Sequence, residues 1–328
     1  MNKLLIGLDI GNGAIKAIVN GDKRYYPSYF VRTPKRPIEL PSMGFVEYQE
    51  GNHEVESMRW LAGNAAFEQA PEQVLRITDD PENKVKLALE AMLGVVSLMP
   101  YKCSYELQIV ASIHDATIFD ERLKAALTGE CIVKFNDGGY PTATKIKHDC
   151  LMVREEGHAA LITHRDKLDI KAQNLVLDIG NGTIIGSLFG LSGRLVERKP
   201  FPRAGVQALI ESIANSTDMR RKLGEPANPQ IIRSGIDKGS FQYGTTGIDF
   251  KAIYQQHLKL WVEANLAPAM RFLKPWRATA KGLLAIGGGC NLPGISKALQ
   301  SNGFTVSPDP IWSNALGLYQ VAKIKEIE

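Results

Sequence analysis

One five-residue sequence, Asp-Ile-Gly-Asn-Gly, occurs twice in this chain, at residues 9–13 and again at residues 178–182. An apolar run precedes each copy, which predicts a buried strand that ends in a carboxylate. A second apolar run follows each copy, at residues 15–19 and 184–189. The duplication therefore predicts two related halves in one chain, and few folds satisfy that requirement.

Turn signals follow the second apolar run in both halves. Asn20-Gly21 is a strong hairpin signal and Ser192-Gly193 is a weaker turn signal. A third strand-like run leads away from each turn, at residues 25–26 and 195–196. Each half is predicted to run strand, acidic glycine turn, strand, turn, strand.

Glycine-rich turns of this kind can bring backbone N–H groups close to an oxyanion, because glycine has no Cβ and tolerates positive φ. The leading aspartate cannot bind a phosphate directly. It can hold a hydrated divalent cation, since Mg²⁺ takes oxygen ligands and usually keeps several waters. A single Asp-x-Gly-x-Gly also fits a plain tight turn between strands. Its duplication favours two turns that bind a nucleoside triphosphate from both sides.

A third glycine motif stands at residues 283–289, Leu-Leu-Ala-Ile-Gly-Gly-Gly. With the segments at 8–16 and 177–183, it resembles the motifs of the actin-like ATPases, a superfamily that also holds sugar kinases and the ATPase half of heat-shock chaperones. The sequence is most similar to bacterial and plasmid actins of the ParM type, over nearly the full length. The resemblance implies an α/β, two-lobed actin-like fold, with two duplicated ribonuclease-H-like domains and a nucleotide cleft between them.

The resemblance also implies domain limits. Domain I is expected at residues 1–168, with a C-terminal helix at 312–328 that returns to it, and domain II at 169–311. A length of 328 residues agrees with two domains, because one hydrophobic core rarely serves so long a chain.

The nucleotide site implied by the resemblance uses both turns, a later glycine and the third motif. ATP or GTP with Mg²⁺ is expected as the cofactor, and Asp9 and Asp178 would hold the metal mainly through water. Lys16 would neutralise phosphate charge. The full set of expected nucleotide-binding residues is Asp9, Gly11, Asn12, Gly13, Lys16, Gly180, Asn181, Gly182, Thr183, Gly205, Gly287, Gly288 and Gly289.

A glutamate that polarises the attacking water is expected just ahead of Gly157. Glu156 or Glu155 would fill this role, with Asp178 as the third catalytic candidate. Such a carboxylate needs to lie within hydrogen-bond reach of a water in line with the γ-phosphate. The family usually has a proline before the glutamate, whereas this chain has Arg154 or Glu155 there, so both glutamates stay open and slow hydrolysis is possible.

Composition excludes several classes of function. The net charge of +4 is diffuse, and no run of Lys and Arg indicates a nucleic-acid-binding arm. Four cysteines without paired spacing favour buried thiols in a reducing cytosol over disulfides or a zinc site. We expect a cytoplasmic protein without a membrane span or signal peptide, because no apolar stretch approaches about 20 residues.

As function, the resemblance implies a nucleotide-driven ATPase that polymerises head to tail. Its filament would segregate or position plasmid DNA through a DNA-binding adaptor protein, without direct DNA contact and without a membrane. Two alternatives stay open: a non-polymerising or slowly hydrolysing ATP-binding regulator or scaffold, and a small-molecule kinase of the same superfamily. Fold alone does not separate them.

Local patterns add predictions about individual elements. A hairpin is expected from residues 45–48 and 54–55, and one amphipathic helix over 82–99. Asp120 is expected to cap a helix at 121–127 that Gly129 ends. Residues 219–240 are expected to be turn-rich, Pro268 to kink or restart a helix over 251–273, and Pro293 to lie in the first turn of the helix that follows it.

Overall fold

The computed structural model describes residues 3–80, 82–169 and 171–327. The chain forms two compact units. Unit 1 comprises Met1–Thr163 and Asn314–Glu328, and unit 2 comprises His164–Ser313. The domain limits at residues 168 and 312 stay predictions.

Unit 1 is built on a ten-stranded mixed sheet with the order β3-β2-β1-β8-β10-β9-β5-β6-β4-β7. Its strands are β1 (Leu4–Ile10), β2 (Ala14–Val19), β3 (Asp22–Pro27), β4 (Tyr29–Arg32), β5 (Phe45–Gly51), β6 (Arg59–Ala62), β7 (Leu75–Arg76), β8 (Ser104–Ile113), β9 (Gly129–Asp137) and β10 (Tyr140–Glu155). Its helices up to residue 163 are α1 (Asn64–Gln69), α2 (Asn83–Lys86), α3 (Ala88–Val96), α4 (Ala116–Ala126) and α5 (His158–Thr163), with 3-10 turns at Pro71–Gln73 and Ile77–Asp79.

The three central strands of unit 1 lie parallel, because β8 pairs in parallel with β1 on one side and with β10 on the other. Strand β1 is buried along nearly its whole length, as expected for an apolar strand covered on both faces. The strand, turn, strand, turn, strand order predicted for the first half is confirmed by β1, β2 and β3.

Helix α4 begins earlier than predicted, and the proposed caps are wrong. Asp115 lies two residues after the end of β8 and has an extended backbone, and its carboxylate accepts a hydrogen bond from the Ile118 N–H at 3.2 Å and caps the helix. Asp120 lies inside the helix. Gly129 does not end the helix but begins β9.

The predicted hairpin at residues 45–55 is also wrong in its second arm. Strand β5 forms, but it pairs with β6 in the register Phe45↔Leu61 and with β9 on its other side. Leu61 is buried whereas Glu54 is exposed, so pairing with β6 buries apolar surface that the predicted arm lacks. The predicted helix at 82–99 is divided into α2 and α3 at Leu87.

Unit 2 contains a five-stranded sheet with the order β13-β12-β11-β14-β15. Its strands are β11 (Asn174–Ile179), β12 (Thr183–Phe189), β13 (Leu195–Pro202), β14 (Gly282–Ile286) and β15 (Thr305–Val306). Its helices are α6 (Val206–Ala214), α7 (Thr217–Leu223), α8 (Pro229–Asp237), α9 (Lys251–Trp261), α10 (Ala267–Phe272), α11 (Lys274–Thr279) and α12 (Ile295–Ser301), with a π-helical turn at Val262–Leu266 and 3-10 turns at Leu191–Gly193 and Gly288–Asn291. The repeated strand order is confirmed by β11, β12 and β13.

Residues 219–240 are largely helical, which corrects the turn-rich prediction. The Ser216 hydroxyl accepts from the Met219 N–H and begins α7, and Gly224 ends it in the left-handed conformation. Asn228 caps α8, with Pro229 in its first turn. These are ordinary capping signals that the polar composition of the segment obscured.

The long helix predicted over 251–273 restarts before its proline, as expected. A π-helical turn ends at Leu266, and α10 then begins at Ala267 with Pro268 in its first turn, where a proline is tolerated. Pro293, in contrast, precedes the N-cap Gly294 of α12 and lies outside that helix, so its predicted position is wrong.

The final helix, α13 (Ser313–Ile327), lies against β1 and α5 of unit 1. Two glycines allow this close approach. A Cβ on Gly7 would lie 2.3 Å from the Tyr319 nitrogen, and a Cβ on Gly317 would collide with the Ala159 carbonyl. Val321 and Leu318 complete the buried contact.

Three of the four cysteines are buried free thiols, as predicted, but Cys103 is exposed. Within residues 3–80, 82–169 and 171–327, no helix has the length and apolar character to cross a membrane.

Candidate functional site

The first turn, residues 11–13, closes directly after β1. The Gly11 N–H donates to the Ala14 carbonyl at 3.1 Å. Ser28, which is buried, holds the turn from outside, because its hydroxyl donates to the Gly11 carbonyl at 2.5 Å and its N–H donates to the Gly13 carbonyl at 3.3 Å. Sequence reasoning did not select Ser28 as a site residue.

The carboxylate of Asp9, at the end of β1, is 3% exposed and forms an ion pair. The Lys16 Nζ lies 2.7 Å from the Asp9 Oδ2, because the antiparallel register sets Asp9 opposite Lys16 on β2. On the other side, the Ser112 hydroxyl of β8 lies 3.5 Å from the Asp9 Oδ1. The structure therefore holds the first aspartate between a cation and a hydroxyl.

The second turn, residues 180–182, closes in the same way. The Gly180 N–H donates to the Thr183 carbonyl at 2.9 Å. The N-terminus of a helix, instead of a serine, holds this turn in place. The Val206 N–H donates to the Gly180 carbonyl at 3.1 Å, and the Gln207 N–H donates to the Asn181 carbonyl at 2.8 Å.

Gly205, the N-cap of α6, permits this support. A Cβ at Gly205 would lie 2.3 Å from the Asn181 carbonyl oxygen. Any other residue at position 205 would therefore push α6 away from the second turn.

The glycine loop, residues 287–289, follows β14 next to Asp178. Strand β14 is parallel to β11, and its register sets Ile286 beside Asp178. Gly287 has φ +88°, and a Cβ there would lie 2.2 Å from the Asp178 Oδ1. Burial, followed by the Asp178 charge, raises the pKa of the nearby Cys290 thiol and keeps it protonated.

Arg233 is a polar contact of the second turn that the sequence reasoning missed. From α8, its Nη2 donates to the Asn181 Oδ1 at 2.5 Å and to the Gln207 Oε1 at 3.0 Å. Recognition of Asn228-Pro229 as a helix start would have placed α8, but not the direction of this side chain.

The two candidate glutamates have different surroundings. The Glu155 Oε1 accepts from the Ala116 N–H at 2.7 Å, so this carboxylate binds the N-terminus of α4. Glu156 forms an ion pair with Lys84 of α2, a lysine that is only 5% exposed. Nearby, burial and then Arg154 lower the pKa of His158 to about 4, so this histidine is neutral at pH 7.

Comparison with known proteins gives matches to structures only. Neither a protein-family model nor a curated protein sequence matches the chain. The archaeal actin homolog Ta0583 superimposes with a TM-score of 0.73 and 17% identity, covering 98% of this chain and 99% of its own. Bacillus thuringiensis ParM with AMPPNP superimposes with a TM-score of 0.71 and 16% identity, and the match covers 99% of this chain and 100% of that chain. The protein of a 15-stranded ParM filament from Clostridium botulinum superimposes with a TM-score of 0.67 and 16% identity, and the match covers 99% of this chain and 100% of that chain.

This chain has the actin-like fold. The fold prediction is confirmed, since the agreement extends over almost the whole length of both chains in each comparison. At 16–17% identity, the likeness carries the fold and not the roles of individual residues.

Within the actin-like fold, each unit collects part of the predicted site. In unit 1, the register places Asp9, Ser112 and Arg154 in one row across β1, β8 and β10. Glu155 and Glu156 follow at the same carboxyl edge of the sheet, with the first turn. Unit 2 brings the second turn together with Gly205 and the glycine loop, as described above.

The residues offer a donor set that suits phosphate and a hydrated cation. Each turn joins one carboxylate to backbone N–H groups, and a Cβ would disturb the close approaches at Gly205 and Gly287. In the part of the chain that the structure describes, no three His, Cys, Asp or Glu residues form a metal-ligand cluster. The remaining donors fit Mg²⁺ held mainly through water.

Proposed function

We propose that this protein is a nucleotide-driven, polymerising ATPase of the ParM type. The observation that carries the proposal is the duplicated Asp-Ile-Gly-Asn-Gly turn, which closes through the same hydrogen bond in both units. The shared fold supports it, because one similar structure is a ParM bound to AMPPNP and another is a ParM filament.

In this proposal the two turns bind the phosphates of ATP or GTP. The backbone N–H groups of Asn12, Gly13, Asn181 and Gly182 would donate to phosphate oxygens, since those of Gly11 and Gly180 close the turns, and Lys16 would offset phosphate charge. Mg²⁺, when bound, would neutralise part of the charge that develops on the phosphates. Asp9 and Asp178 would orient its waters.

Glu156 is the better candidate to position the attacking water. Glu155 already accepts the Ala116 N–H, which fixes it at the start of α4. Lys84 would hold the Glu156 carboxylate in place, and an oriented carboxylate is what water positioning requires.

Assembly would be head to tail, since a contact between two unlike surfaces whose rotation does not close into a ring produces an open strand. We further propose that the filament acts in the cytoplasm and segregates or positions plasmid DNA through a DNA-binding adaptor protein. The ParM likeness supports this role by analogy of fold.

One observation favours a second candidate, a slowly hydrolysing regulator or scaffold. The Lys84–Glu156 ion pair occupies the carboxylate that water activation needs. If the pair persists with nucleotide bound, the chain would bind ATP and turn it over slowly.

Light scattering at a right angle, with pelleting and phosphate release in the same sample, tests the proposal. We expect scattering to grow with Mg·ATP or Mg·GTP and to stay flat in buffer. The Asp178→Ala variant, with unchanged thermal melting, should give no growth. A flat wild-type trace with slow phosphate release would instead favour the regulator.

A further inference from the structure

Charge is strongly segregated along this chain. Residues 37–58 contain five glutamates and no Lys or Arg, whereas residues 264–308 contain five Lys and Arg and no Asp or Glu. The first segment belongs to unit 1 and the second to unit 2. The net charge of +4 conceals this separation.

The basic segment forms a cavity at the junction of α10 and α11, here named the basic cavity. Its volume is about 470 Å³, and it is lined by Met270, Arg271, Lys274, Arg277, Ala278 and Leu283. Arg271 and Lys274 are exposed, while Arg277 is held by a hydrogen bond from its Nη2 to the Asn302 carbonyl at 2.7 Å. Two exposed cations therefore flank an apolar floor.

The segment at 37–58, here named the acidic segment, carries exposed carboxylates. Glu47 is buried in ion pairs with Arg36 and Arg59, and Glu56 pairs with Arg32. Among the described residues, no ion pair neutralises Glu50 or Glu54, and both are exposed.

Apolar side chains lie exposed on both surfaces. On the acidic segment, Ile38, Met43 and Met58 are 105%, 57% and 45% exposed. Beside the basic cavity, Phe272 is 43% exposed. Exposed apolar groups rimmed by charge are typical of protein interfaces.

We propose that the basic cavity of one copy receives the acidic segment of a second copy. The argument for a second copy is complementarity, since one surface offers carboxylates and methionines and the other offers cations around an apolar floor. The two surfaces are different, so the contact is heterologous and can repeat from one copy to the next along a strand. This inference rests on the proposed polymerising function and names the protomer contact that would carry it.

Charge reversal on each surface tests the contact. The variants are E50K/E54K on the acidic segment and R271E/K274E at the basic cavity. Alone, each should raise the critical concentration for nucleotide-dependent scattering by about tenfold or more, because like charges then face each other. Mixed in equal amounts, they should alternate along one strand, since every contact is again complementary, and should return to within about threefold of wild type.

A matched control is R220E/K222E on α7, which makes the same change of net charge at two exposed positions outside the contact. It should polymerise like wild type. Thermal melting and binding of a fluorescent ATP analogue verify that every variant is folded.

The outcomes separate this contact from the function on which it rests. If the wild type polymerises and R271E/K274E has a critical concentration no higher than that of R220E/K222E, the proposed contact is wrong and the proposed function stands. Two defective variants whose mixture stays flat also overturn it. A wild type that does not polymerise under any nucleotide removes the function and the contact together.

Discussion

The two turns carry the same five residues but are held by different partners. The first is fastened by the buried Ser28 hydroxyl, and the second by the N-terminus of α6. The aspartates differ in the same way. Asp9 faces Lys16 across the hairpin, whereas the matching register position opposite Asp178 carries Ile185. A repeated sequence thus repeats its backbone geometry, but its electrostatics depend on residues outside the repeat.

This difference suggests unequal roles for the two turns. Lys16 already offsets the charge of Asp9 inside the protein. Asp178 lies against Gly287, whose lack of a Cβ leaves room beside the carboxylate. We therefore expect Asp178 to contribute more to hydrolysis and Asp9 more to the stability of its unit.

Replacement of Asp178 tests whether the two aspartates contribute unequally to hydrolysis, and we expect it to have the largest effect of the variants considered. Asp178→Asn should slow phosphate release on the order of 10² to 10³, because it removes the charge that, in our proposal, would orient metal waters in the transition state. Asp9→Asn is the matched comparison and should slow release less. Equal losses, measured under saturating nucleotide with unchanged melting, would show that the turns are equivalent.

Removal of Lys16 should lower stability, separately from its proposed effect on nucleotide binding. Lys16→Met leaves Asp9 buried with Ser112 as its remaining described contact, and we expect the free energy of unfolding to fall by about 2 kcal/mol. The expected loss is smaller than for a fully buried pair because Lys16 is partly exposed. Urea denaturation of the wild type and of Lys16→Met measures this difference in the free energy of unfolding.

The double variant Lys16→Met/Asp9→Asn provides the control for this prediction. It removes the buried charge together with its partner, so it should recover part of the lost stability. A double variant less stable than Lys16→Met would contradict the role given to the ion pair.

Loss of the Ser28 hydroxyl should have the smallest effect. Ser28→Ala removes the hydrogen bond to the Gly11 carbonyl and should cost about 1 kcal/mol of stability. The nucleotide affinity of the first turn should weaken as the turn loosens, and isothermal titration with the non-hydrolysable analogue AMPPNP would measure this. Ser42→Ala, in an exposed loop, is the control and should leave both quantities unchanged.

Local patterns in the sequence were sufficient to predict the strands and turns of both repeats. Side-chain partners were not predictable, because Lys84 reaches Glu156 and Arg233 reaches Asn181 from distant parts of the chain. The error at Asp120 has a different origin. Asp115 and Asp120 are both of a residue type that caps helices, and the extended backbone at Asp115 makes it the cap of α4.

The close approach of α13 to β1 has a consequence for folding during synthesis. Unit 2 is one continuous stretch, whereas unit 1 is assembled from two stretches that flank it. The Gly7 contact with α13 cannot form until residues 314–327 have left the ribosome. Unit 2 can therefore be complete while β1 still lacks its cover, and a chaperone or an early partner would meet unit 1 in that open state.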